Sequence, residues 1–428
     1  MRAIATFDIG TTAVKAVLVS QTGTVVNSAS REIPTVFDGE RKEQNPQVWW
    51  DAFLALSAQL LSVIPAGDIS GIVMSGQMQD VIPVGEDLQP LGNAILYSDG
   101  RGVAQAEELN RRLGRDTVAR ITGNAMDGTL SLPKILWLKE HEPALFERAR
   151  CFLISSKDYV NARLTGVCAG DVTACSTAGA MDLQTRAWSV EVLAACGLSV
   201  NKLPRLFASH EAVGAVTAQA AAETGYAAGT PVYAGVGDAG ATTLASGIAM
   251  PGEYNINLGT SGWVATVSEA ALRPGEGVFN LAAMAQGRVI NVVPFLNAGN
   301  VHHWVSGLFS GDTHADYAAM NRLLETSEPG SHGVMALPYL VGERFPVPDP
   351  EVRGTYMGIT PETTRADMAR AMLEGVVFSI RQGLEQVGKP VKSLSVIGGG
   401  GRGPAWCAML GDMVGPNVAG VWTGVPLG

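Results

Sequence analysis

What the chain lacks narrows its class first. Its five cysteines (Cys151, Cys168, Cys175, Cys196 and Cys407) are odd in number, scattered and never spaced C-x-x-C. That argues against a disulfide framework or a zinc site and for reduced thiols in a cytoplasmic setting. There is no Lys/Arg block, and the net charge is −10. A sequence-independent nucleic-acid binder should be basic, so nucleic acid is not an expected partner. An acidic chain can still hold a polyphosphate through local N–H groups and a metal ion. No apolar run is long enough to span a bilayer, and no membrane partner is expected. The N-terminus runs almost at once into an apolar strand, Ile4–Phe7, so no signal peptide is expected. No low-complexity linker divides the chain.

What is present is a repeated loop. Near the start the chain reads Phe7-Asp8-Ile9-Gly10-Thr11-Thr12, and much later Ile256-Asn257-Leu258-Gly259-Thr260-Ser261. One offset separates Asp8 from Asn257 and Thr11 from Thr260. Each copy enters from an apolar strand and leaves into another. Such a hairpin turn presents backbone N–H groups and hydroxyls, which bind anions. At 428 residues the chain exceeds one ordinary core. Two copies therefore suggest a duplicated domain that grips phosphates between its halves.

The pattern along the chain is α/β in both halves. Strands are expected at Ala3–Phe7, Val14–Ser20 and Val25–Ile33, with a turn at Gln21-Thr22-Gly23. Pro46 opens a helix to Ile64, and Ile69–Met74 reads as a buried strand ending in Ser75-Gly76. Helices follow at Ala104–Leu113, Leu132–Glu140 and Asp158–Leu164. The second half restarts with a strand at Pro231–Gly235, and a boundary is expected near Gly240–Met250. Glu362–Gln386 reads as a long helix, Leu394–Ile397 as a buried strand, and Trp406–Val414 as a helix.

Several residues in this frame carry candidate chemistry. Asp8 heads the first loop. A carboxylate aimed at phosphates needs a cation between, so it either holds Mg²⁺, directly or through water, or caps its own turn. Lys15 either approaches the phosphates or is solvated on its strand. Asp238 follows a buried strand in Gly237-Asp238-Ala239-Gly240. It could accept a proton from a substrate hydroxyl during phosphoryl transfer, or simply cap a helix. Gln77, Met78 and Gln79, with Asp99 and Arg101, suit a polyhydroxylated ligand. The alternative for the last two is a surface loop with an Asp–Arg pair. Gly398–Gly401 would let a planar ring lie on the backbone. His302-His303 lacks a third ligand and is expected to pack beside Trp304.

Together these residues resemble the FGGY family of carbohydrate kinases, over nearly the whole chain. The loops at Asp8–Thr12 and Asn257–Gly262 match in order. The first family signature resembles Ser131-Leu132-Pro133-Lys134-Ile135-Leu136-Trp137-Leu138, with Thr129 where another residue is usual. The second matches in full: Gly354-x-Tyr356-x-Gly358-Ile359, Asp367-Met368, then Ala371-Met372-Leu373-Glu374. The resemblance implies an α/β chain of two duplicated actin-like (ribonuclease H-like) ATPase domains around a cleft. Residues 1–245 would bind sugar and residues 246–428 the nucleotide. It implies ATP and Mg²⁺ as cofactors, Asp238 as catalytic base and Asp8 at the metal. Gly10, Thr11, Thr12 and Lys15, with Gly259, Thr260 and Ser261, would hold the phosphates, and Gly399, Gly400 and Gly401 the adenosine. The sugar would meet Gln77, Met78, Gln79, Asp99, Arg101 and Asp238. A homodimer is left open.

Ser75-Gly76-Gln77-Met78 is most similar to the members that phosphorylate D-xylulose, except that Gln79 stands where they have His. Another ketose or a sugar alcohol therefore stays open as substrate. Family members usually continue past the adenosine loop, whereas this chain stops at Val425-Pro426-Leu427-Gly428. The last helices of the second domain are accordingly expected to be absent. The rival reading is a non-catalytic sugar or nucleotide sensor, which the short end favours and the presence of both Asp8 and Asp238 disfavours.

Overall fold

The computed structural model describes residues 2–34, 36–38, 41–272, 277–309, 316–349, 351–388, 390–399, 404–414 and 421–423. They group into two compact units. Residues up to Ala241, with Leu281–Gly287, form the first; Thr242–Asn280 and residues from Arg288 onward form the second.

In the first unit Ala3–Ile9 (β1), Ala13–Ser20 (β2) and Val25–Glu32 (β3) form an antiparallel meander. On its other side β1 pairs in parallel with Ile69–Gly76 (β4). Ala212–Ala215 (β5) and Pro231–Tyr233 (β6) extend the sheet to the order β5-β6-β4-β1-β2-β3, and Val236–Gly237 (β7) also runs parallel to β4. Alternate residues of β1 (Ala3, Ala5, Phe7 and Ile9) are buried, the period-2 pattern of a pleated strand. Phe7 packs on Phe53 of Pro46–Leu61 (α1), ring centroids 4.5 Å apart. That helix starts where Asn45 accepts the Gln47 N–H and Pro46 supplies a preset φ. Further helices bear on the site: Ser131–His141 (α2), Ser156–Thr165 (α3), Val172–Ser176 (α4) and Asp238–Ala245 (α5).

The second unit repeats this plan. Glu253–Leu258 (β8) and Gly262–Ser268 (β9) form the hairpin. Phe279–Ala282 (β10), Val289–Phe295 (β11), Ser393–Ile397 (β12) and Val421–Thr423 (β13) complete the order β10-β11-β9-β8-β12-β13. β8 is antiparallel to β9 and parallel to β12, as β1 is to β2 and β4. The run β3-β2-β1-β4-β6 thus recurs as β11-β9-β8-β12-β13, the duplicated actin-like topology that the repeated loop foretold. Gly299–Phe309 (α6), Arg365–Val387 (α7) and Pro404–Val414 (α8) belong here. α7 begins three residues later than its apolar pattern suggests. Thr364 and Asp367 form a reciprocal capping box that fixes the start. No described helix is long and apolar enough to cross a membrane.

The expected strand Pro231–Gly235 ends early, at Tyr233, and the chain rejoins the sheet only at Val236–Gly237. Gly235 has φ +70°, and a Cβ there would lie 1.9 Å from the Met74 carbonyl oxygen. Close approach and left-handed backbone both demand glycine. Gly23 (φ +79°) has open space around it and tests the backbone cost alone. We expect Gly23→Ala to cost about 1–2 kcal/mol and Gly235→Ala about 3–5 kcal/mol, once overpacking is added. Urea unfolding of both variants checks this; equal losses would mean that the contact with Met74 is immaterial.

Candidate active site

The parallel strands of the first unit end together. Asp8 is in register with Ser75, and Val236 is in register with the same Ser75 from the other side. The C-terminal ends of β1, β4 and β7 therefore deliver Asp8, Gln77 and Asp238 to one edge, where open α/β sheets bind ligands. The Ser75 hydroxyl donates to Asp8 Oδ1 at 2.8 Å. Lys15 sits directly opposite Asp8 across the β1–β2 pair, on the same face of the sheet. Between them the Gly10 N–H closes the turn on the Ala13 carbonyl at 3.1 Å. Thr12 is exposed at the tip.

Gln77 is buried rather than displayed. Its side chain accepts from Thr11 Oγ1 (2.8 Å) and donates to Gln44 Oε1 (3.0 Å), while Gln44 Nε2 donates to the Thr11 carbonyl (2.6 Å). Gln44 also accepts from Trp49 Nε1 at 3.2 Å. The first phosphate loop and the Gln77–Asp80 segment are thereby tied through one buried amide that no sequence motif announces.

Asp238 opens α5 and accepts its neighbour's N–H, from Ala239, at 2.7 Å. Its carboxylate reaches solvent, yet the protein atoms crowded around it strip much of its hydration. That dehydration, with the like charges of Asp8 and Asp171, raises its pKa to about 7. Contact with water opposes the dehydration effect; the two carboxylates push upward regardless. Met78 packs beside the Gly237-Asp238 turn, since a Cβ on Gly237 would lie 2.0 Å from its sulfur. Behind the turn Asp171 caps α4 through the Thr173 and Ala174 N–H groups (2.9 and 3.1 Å). Buried Lys157 pairs with Asp171 at 2.7 Å and with Asp158. The neighbouring Ser156 hydroxyl holds the Ile9 carbonyl at 2.6 Å.

Asp99 and Arg101 form a closed, buried pair. Asp99 Oδ1 accepts the Arg101 N–H and Nε–H; Oδ2 accepts Arg101 Nη2 and the Lys42 N–H, all at 2.7–3.0 Å. Arg101 also reaches Glu43 Oε1 at 2.7 Å. These bonds hold the Asp99 carboxyl below its usual range despite dehydration. Gln79 is half-buried with φ +62°. Glu43, Gln44, Ser75 and Lys157 were not singled out from the sequence. Lys134 was named only as part of the first family signature, with no role attached.

In the second unit α6 rises from the second phosphate loop. The Gly299 and Asn300 N–H groups donate to the Gly259 and Thr260 carbonyls at 2.8 and 3.0 Å. Thr260 and Ser261 are exposed at the tip. Gly398 (φ +89°) lies so close that a Cβ would sit 2.7 Å from the Leu258 carbonyl. Gly399 has open space beside it, and Gly400 and Gly401 lie outside the described residues. The expected packing of the histidine pair beside Trp304 needs correction. His302 accepts from Trp406 Nε1 at 2.9 Å, because residues two apart on a helix face different ways. Dehydration lowers the His302 pKa to about 4.

Comparison with known proteins bears on this arrangement. The N-terminal domain of the FGGY family of carbohydrate kinases matches residues 3–245, and its C-terminal domain matches residues 254–424. A xylulose kinase of Bacillus subtilis is 33% identical over 98% of this chain and 84% of its own length. The crystal structure of xylulose kinase from Rhodospirillum rubrum superposes with a TM-score of 0.88 at 29% identity, covering 96% of this chain and 84% of that one. Gluconate kinase from Lactobacillus acidophilus gives 0.89 at 26% identity, covering 96% and 83%.

The raised pKa of Asp238 is also a stability statement. Ionising it costs the folded state progressively as pH rises from about 4, the unfolded value, toward about 7. Asp238→Asn removes that cost. Its Tm should therefore exceed that of the parent at pH 8 and match it at pH 4. Thermal melts at both pH values decide; the same difference at each would show that charge is not the cause.

Proposed function

Because the chain belongs to the FGGY family of carbohydrate kinases and is a sugar kinase, we propose that it converts D-xylulose to D-xylulose 5-phosphate, with Asp238 as base. The observation that carries the mechanism is Asp238 at the end of β7, on the strand edge that also presents Asp8. The sugar hydroxyl oxygen attacks the γ-phosphorus of ATP, the bond to the ADP oxygen breaks, and the hydroxyl proton passes to the Asp238 carboxylate. A base with a pKa near the working pH is ionised yet still able to take that proton.

The remaining residues bind and orient. Gly10, Thr11, Thr12 and Lys15 offer N–H groups, hydroxyls and a cation to the phosphates, and Gly259, Thr260 and Ser261 offer the equivalent turn. Gly398 and Gly399 leave backbone bare for the adenosine. Asp8 fits Mg²⁺, a hard cation that typically takes one or two carboxylates together with substrate phosphates and water. Ser75 fixes one of its oxygens. Bound there, the ion would neutralise charge on the transferring phosphoryl group. Met78, Gln79 and the Asp99–Arg101 segment form the sugar side, with Gln77 holding that segment to the phosphate loop. We infer a cytoplasmic setting from the dispersed cysteines.

The comparable likeness to a gluconate kinase supports a second reading, another polyhydroxylated substrate chosen at Gln79. Turnover on pentuloses, hexuloses, polyols and gluconate separates the two. The highest kcat/KM should fall on D-xylulose; a maximum on another compound overturns that assignment. On the best substrate, Asp238→Asn should lower kcat by roughly 10²–10⁴ with ATP affinity little changed. Near-normal turnover would remove Asp238 from the chemistry. Gln79→His should shift preference among sugars and leave the KM for ATP alone, whereas equal effects on every sugar would remove Gln79 from selection.

A further inference from the structure

The signature helix α2 carries a lysine with no exposed surface. Lys134 Nζ donates to the Gln79 carbonyl at 2.6 Å and to the Leu96 carbonyl at 2.8 Å. Those two acceptors belong to separate segments, one following β4 and one leading to Asp99 and Arg101. Asp80, equally buried, exerts the strongest opposing charge on it, and it accepts the Tyr97 N–H at 3.2 Å. Lysine and aspartate thus stitch the same two segments together. The same helix touches the second segment twice more. Trp137 lies under the Arg101 guanidinium, 5.0 Å from ring centre to carbon, and Pro133 leaves room only for glycine at Gly102.

A buried ammonium is costly unless its hydrogen bonds are met, and an apolar chain of the same length would fill the space more cheaply. Two of the three donors of this ammonium are spent on carbonyls, one in each segment, so geometry is what it supplies. Gln79 needs such support: its φ of +62° is unfavourable for a residue with a side chain, and persists only when its surroundings impose it.

We propose that Lys134 is a positioning residue for the sugar site, cross-linking the Gln79 segment to the Leu96–Arg101 segment without touching the sugar itself. This rests on the reading of those segments as the sugar side. The plain alternative is that Lys134 only neutralises Asp80.

The test pairs Lys134→Met with the double variant Asp80→Asn/Lys134→Met, which removes the stranded buried charge. In the double variant we expect a Tm close to the parent. The KM for the best sugar should rise at least tenfold while the KM for ATP stays within twofold. Amide hydrogen exchange over residues 77–80 and 96–99 should quicken in the unliganded protein. A double variant with parental sugar KM and parental exchange overturns the proposal and leaves Lys134 as a counter-charge. Should the parent turn over no sugar, the substrate reading fails by itself, and the exchange measurement still decides the role of Lys134.

Discussion

One strand register governs the first unit. β4 runs parallel between β1 and β7, with Ser75 opposite both Asp8 and Val236. Strand side chains alternate between faces, so a slip of one residue would turn Asp8 away from its edge and part it from Ser75. The register is held by apolar burial on the strands themselves and by side chains that bond across their ends: Ser75 to Asp8, Ser156 to Ile9, Thr11 to Gln77. The segments carrying Gly10–Thr12, Gln77–Gln79 and Asp238 are all continuations of strands fixed in this way. The second unit uses the same device, with β12 beside β8 and Gly398 pressed against Leu258.

That convergence carries an electrostatic cost. Asp8, Asp171 and Asp238 are brought near enough to raise the proton affinity of the last. Lys157, buried with Asp158 and Asp171, offsets part of the charge behind the Gly237-Asp238 turn, while Asp8 and Asp171 push the Asp238 pKa upward. Asp238 is thus ionised at the expense of local stability, a common trade where charged groups are gathered at one edge. At Asp99 the opposite choice is made: its carboxylate is saturated with donors and stays ionised, a brace for Arg101.

The sequence disclosed what is local. Alternating apolar residues marked β1, β2 and β4, and the repeated Gly-Thr turn marked a duplicated hairpin whose sheet context proved to be duplicated too. It could not disclose what depends on distant contacts. The break at Gly235 is set by the Met74 carbonyl on another strand. The burial of Gln77 depends on Gln44, which lies in no motif. His302 finds Trp406 across the fold rather than its chain neighbour. Asp238 was evenly balanced between helix cap and base when read locally. Its position beside β4, and the carboxylates of Asp8 and Asp171, come only from pairing residues far apart in the chain.

The central claim is that these strand ends make Asp238 a base poised near neutral pH. The pH dependence of kcat/KM for the sugar, measured at saturating ATP, tests it most directly. Activity should fall along an acidic limb of unit slope as Asp238 takes up a proton, bending above the ordinary carboxylate range. A profile that stays flat down to pH 5 would contradict it.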